Sequence, residues 1–90
     1  MIIKGKTSTG FEFEIDKDCL EDAEFMELYR RQEKNGLDLY EFIEYAIGKE
    51  QKKRLYDHLR DDTGRVKVTR LRDEVGDILL ALSNNPETKN

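Results

Sequence analysis

The opening fifteen residues alternate, and that alternation limits what the rest of the chain can become. In Phe11-Glu12-Phe13-Glu14-Ile15 every second side chain is apolar and those between are acidic, the period-two pattern of a strand with one buried face. Ile2 and Ile3 lie in a matching arm across Ser8-Thr9-Gly10, where a glycine permits the positive φ of a tight hairpin connection. A hairpin by itself is marginal in water, so the following residues must supply a layer beneath it. They are written in helical punctuation, with capping boxes at Asp18/Glu21 and Asp38/Glu41. The expected fold is α+β, mostly α: an N-terminal β-hairpin packed on about four helices.

Ninety residues make one domain, which buries only about 60 to 65% of the surface of its unfolded chain, so the core is thin. The globular part is expected over residues 1–82. Its hairpin spans 1–15 and its helices about 18–34, 38–47, 49–60 and 70–83, with a polar, flexible tail over 84–90. Charged residues make up 40% of the chain and hydrophobic residues 37%, a balance that suits a soluble helical domain rather than a disordered one. Neither a membrane-spanning apolar run nor a secretory leader is legible, and the single Cys19 cannot form an internal disulfide. A cytoplasmic protein is expected, with Cys19 a small filler residue.

Each helix has its own signature. In 18–34, Phe25, Met26, Leu28 and Tyr29 form an ordinary core-facing stripe, and Asn35-Gly36 ends it. In 38–47, with Leu37 set to staple onto Phe42, the apolar residues spread over an arc of about 220°, which one core face cannot absorb. Either that helix is central, or another chain covers part of it. Gly48 closes it, and Leu55, Tyr56 and Leu59 supply the buried edge of the helix that follows. Val66 and Val68 could add a third strand to the hairpin before Thr69 caps the last helix. There Leu71, Val75, Ile78 and Leu82 share one face while Leu80 falls on the far side, and Gly76 weakens the helix by about 1 kcal/mol relative to alanine.

The chemistry-bearing residues do not converge on a reaction. His58 has no second histidine or nearby cysteine, so it reads as a surface or hydrogen-bonded histidine rather than a zinc ligand. Asp62-Thr63-Gly64 carries the letters of an aspartic protease, but that chemistry needs the aspartate at the end of a buried strand, and here it follows a helix. The same carboxylates lack the ligand ladder of a calcium loop. No catalytic, cofactor or metal residue is assigned, and no enzyme activity is expected.

Charge is unevenly distributed beneath a net value of −4. Eight acidic residues and one lysine lie between Glu12 and Glu27, whereas nine basic and four acidic residues lie between Lys49 and Arg72. These are either solvated helix faces carrying opposite-charge pairs or complementary patches that orient association.

Three segments carry a family resemblance: Ile3-Lys4-Gly5 with Gly10-Phe11-Glu12-Phe13-Glu14-Ile15-Asp16, then Ile47-Gly48-Lys49-Glu50-Gln51, then His58-Leu59-Arg60-Asp61-Asp62-Thr63-Gly64-Arg65-Val66. Together they resemble the small tail assembly chaperones of long-tailed bacteriophages and prophages, over most of the chain to about Leu82. The resemblance implies a non-enzymatic protein of the bacterial host cytoplasm that binds the long helical tape measure protein and keeps it soluble during tail assembly. It also implies self-association, with no membrane partner. Tyr40, Tyr45, Ile47 and Leu80 are the expected partner or oligomer interface. The competing reading is a small nucleic-acid-binding regulator using the basic region 49–72, against which stands the acidic pI of about 5.0.

Overall fold

In a computed structural model, which describes residues 1–84, the hairpin lies on three helices and the α+β expectation holds. Strand β1 (Ile2–Lys6) pairs antiparallel with β2 (Glu12–Asp16), with Gly5 opposite Phe13. Ile3, Phe11, Phe13 and Ile15 are buried on the inner face, while Ile2, Lys4, Glu12 and Glu14 are exposed on the outer one. Gly10 takes φ 92 in the connecting turn. Val66 does not extend the sheet, which has two strands among the described residues, because Val68 already begins the last helix.

Helix α1 (Ala23–Lys34) starts later than the Asp18 capping box implies. Lys17–Glu21 forms a short 3-10 turn with no buried side chain, and the cap is Asp22, whose Oδ1 accepts from the Glu24 amide at 3.0 Å. Without an apolar face over 17–21 nothing holds an α-helix down there, and Phe25 is the first side chain of α1 to reach the core.

Helix α2 (Leu39–Leu59) joins two expected helices into one run, broken in its dihedrals at Gly48, where φ is 84 and ψ is 165. The Asp38 capping box does not form, since Asp38 has helical backbone and no side-chain cap bond. Asn35 instead accepts from the Leu37 amide, and Leu37, 75% exposed, does not staple onto Phe42. The wide apolar arc of this helix is resolved by position: α2 packs against α1, β2 and α3 (Val68–Asn84) at once. Thr69 lies inside α3 and is not its cap. Leu71, Val75, Ile78 and Leu82 close the core. The expected tail lies, beyond Asn84, outside the described residues. No described helix is long and apolar enough to cross a membrane.

The two edges of the hairpin are treated differently. Thr7 N–H to Phe11 C=O (2.9 Å) and Lys17 N–H to Met1 C=O (3.0 Å) continue the ladder at its two ends. Odd-numbered residues therefore bond across the hairpin, and even-numbered ones turn their N–H and C=O outward. On β2 these outward groups are met by α2. The Glu14 amide donates to Gln51 Oε1 at 2.6 Å, Gln51 Nε2 donates back to Glu14 O at 2.7 Å, and Arg54 donates to Glu12 O at 3.4 Å. The Gln51 amide thus stands where a neighbouring strand would. It also donates to Ile47 O at 2.8 Å, across the Gly48 break.

Candidate functional site

The densest polar cluster is assembled at the hairpin tip, from residues far apart in sequence. Thr9 Oγ1 donates to Glu74 Oε1 at 2.7 Å and lies 2.9 Å from His58 Nε2 and 3.2 Å from Thr7 Oγ1. A threonine hydroxyl has one proton and two lone pairs. With the proton committed to Glu74, His58 Nε2 and the Thr7 hydroxyl are the donors, and Thr9 is saturated. One residue earlier, Ser8 donates to Asp77 Oδ2 from its amide (3.0 Å) and from its hydroxyl (2.5 Å), which holds the Asp77 carboxyl below its usual range. Phe11, buried beneath the tip, is flanked by the His58 ring at 5.6 Å and the Arg54 guanidinium at 5.4 Å.

Around this cluster an open cleft of about 490 Å³ is lined by Thr9, His58, Arg70, Asp73, Glu74 and Asp77. Glu74 is only 1% exposed, and its Oε2 has no hydrogen-bond partner among the described residues. An unpartnered buried carboxyl oxygen is costly, so the site holds a polar group that the fold alone does not satisfy. Chemically, the arrangement is a latch: one hydroxyl ties the tip to the last turn of α2 and to α3 at once. No group of three or more metal-ligating side chains comes together among the described residues.

Sequence reasoning left Glu74 unremarked. Its signal was present, an acidic residue three positions after Leu71 and four before Ile78, on the border of an otherwise apolar stripe. His58 is, as expected, an exposed histidine engaged in a hydrogen bond. Asp61 organises its own loop: Oδ1 accepts from the amides of Thr63 and Arg65 and from the Thr63 hydroxyl, and Gly64 takes φ 87. Asp62-Thr63-Gly64 therefore belongs to a surface turn.

The four expected interface residues are scattered. Ile47 is 8% exposed and belongs to the core, which corrects its assignment: α2 turns most of it inward among its three neighbours. Tyr40 is half-buried against the core. Tyr45 is exposed, but its hydroxyl donates to Asp22 Oδ2 at 2.5 Å, which pushes the phenol pKa up to about 12 and ties α2 to the cap of α1. Leu80 is 59% exposed and faces away from the core stripe of α3.

Three of the nine basic residues in the region 49–72 have internal tasks. Lys52 pairs with Glu44 at 3.4 Å, Arg54 covers Phe11, and Arg60 pairs with Asp57 at 3.2 Å and donates to Gly64 O at 2.9 Å. A second groove, of about 730 Å³, runs between the hairpin and the Gly48 break and carries both signs of charge, Lys4 and Lys49 beside Glu12 and Glu50. No protein-family model, no curated protein and no solved structure matches the chain.

Proposed function

We propose that this chain is a non-enzymatic tail assembly chaperone, which holds an elongated helical tape measure protein soluble in the host cytoplasm by offering one helix face to its apolar stripe. The resemblance in the three segments named above supplies the client. The observation that carries the reading is the outer face of α3. Leu80 stands exposed there, and one turn earlier a side chain added at Gly76 would meet nothing within 4 Å. A glycine in mid-helix costs about 1 kcal/mol against alanine. Here it leaves a flat stretch beside a protruding leucine, a surface onto which a second helix can be laid closely.

Self-association through the same face accompanies this reading, and light scattering at micromolar concentration measures it. The direct test is co-expression with the tape measure protein encoded alongside. Leu80→Asp should leave the unfolding free energy within about 1 kcal/mol while weakening client binding about ten-fold or more, seen as loss of soluble tape measure protein. If that protein is equally soluble with the native chain, with Leu80→Asp and with neither, the proposal fails.

A further inference from the structure

The hairpin has one covered edge and one open edge, and the open one is chemically selective. On β2 the outward backbone groups of Glu14 and Glu12 are met by Gln51 and Arg54. On β1 the outward N–H groups of Ile2, Lys4 and Lys6 donate to no other described residue, and their C=O groups accept from none. An open edge is a template for another strand, and lysines beside it are a common means of refusing the wrong one. We propose that β1 accepts an extended segment of a partner protein in which acidic and apolar residues alternate, adding it as a third strand.

The fold itself supplies the argument for the acidic pattern. Across the hairpin Lys4 stands opposite Glu14, with Nζ and Oε1 3.7 Å apart, and Lys6 stands opposite Glu12. A strand of the same kind on the free side would bring carboxylates beside the same two lysines from the other direction. Its apolar residues would fall on the inner face, alongside Ile3 and Gly5. A second copy of β1 is the poorer occupant, because antiparallel pairing about Lys4 places the two Lys4 side chains opposite each other, and like charges directly opposite are destabilising. The α3 face is not involved, so this site stands apart from the chaperone surface.

The test titrates the full chain with an end-blocked peptide, Thr-Glu-Val-Glu-Val-Asp-Thr, following backbone amide shifts and hydrogen exchange. The expected result is saturable binding with new protection at the Ile2, Lys4 and Lys6 amides. Substituting both lysines (Lys4→Glu with Lys6→Glu) should weaken it about ten-fold or more and transfer the preference to a Thr-Lys-Val-Lys-Val-Lys-Thr peptide. An acidic peptide N-methylated at alternate amides keeps the charges but cannot complete the ladder, and it should not bind. Equal binding by the methylated peptide would reduce the effect to charge attraction and overturn the proposal. So would shifts confined to other residues, or protection of the same amides by concentration-dependent dimerisation without peptide. To separate misfolding of the charge-reversed chain from lost recognition, Lys4→Thr with Lys6→Thr is run beside it, and this pair must also lose the acidic preference.

Discussion

Gly5 is where a single atom decides the packing. A Cβ there would lie 2.5 Å from Cζ of Phe13, its cross-strand neighbour, and that ring is fully buried. The ring covers the backbone of β1 and must shift to admit a Cβ. Gly5→Ala should destabilise the fold by about 1 to 3 kcal/mol, the usual cost of overpacking. Urea unfolding measures it, and the cost should be non-additive with Phe13→Leu, as for residues in contact. Cys19 tests the acidic end of the molecule in another way. Burial first, then Asp16, Asp22 and Asp18, raises its thiol from 9.0 to about 11. Near pH 8 that lowers the thiolate fraction by about two orders of magnitude. Alkylation by iodoacetamide should be slower by a similar factor in the native protein than in urea, and rates within a few-fold of each other would contradict this account.

At the scale of elements, the Gly48 break is what aims the second half of α2 at the hairpin. Its dihedrals lie in a region essentially restricted to glycine, so Gly48→Ala should cost about 1 to 3 kcal/mol even though a Cβ there would meet nothing. The urea midpoint should fall with little change in slope, and exchange at the Glu14 amide should accelerate as Gln51 is drawn away. An unchanged midpoint would mean the break is not needed. Which elements were legible in the sequence follows from how local their causes are. The hairpin was, because period-two alternation and a turn glycine are written in adjacent residues. The break at Gly48 was also readable, from one glycine between two periodic runs. The start of α1 was not: Asp16, Asp18 and Asp22 are all competent caps, and the choice is settled by where Phe25 must meet the core. The Asp38 box failed because Asn35 took over the turn. Nor was the Thr9, His58 and Glu74 latch readable, because it depends on how far the hairpin reaches along α3. Ile47 was misassigned because periodicity gives the width of an apolar face and not the number of neighbours waiting to cover it.

Across the whole molecule, surface hydrogen bonds contribute to the response to pH. The carboxyls of Asp16, Asp22, Asp61 and Asp77 are all held below their ordinary range by hydrogen bonds, from the Asp18 amide, the Tyr45 hydroxyl, the Thr63 hydroxyl and the Ser8 hydroxyl respectively. A folded pKa below the unfolded one means that the stabilisation is complete above about pH 4 and is lost as the pH falls through the folded values. Tyr45 works in the opposite sense: raised from 10.0 to about 12, it contributes fully below pH 10 and loses its contribution as the pH rises through about 12. Thermal unfolding from pH 2 to 12 should therefore give a plateau with two falling limbs. Asp77→Asn should flatten the acid limb and Tyr45→Phe the alkaline one; limbs identical to those of the native chain would show that these bonds do not set them.

The packing of α3 under β1 also has a consequence in time. Of the described elements the hairpin leaves the ribosome first, yet the helix that covers β1 and latches its tip is made last. At roughly 5 to 20 residues per second, the wait lasts several seconds. During it α2 is made and can cover β2, but β1 and the hairpin tip still lack α3, so the packing of the hairpin is completed only as synthesis of α3 ends.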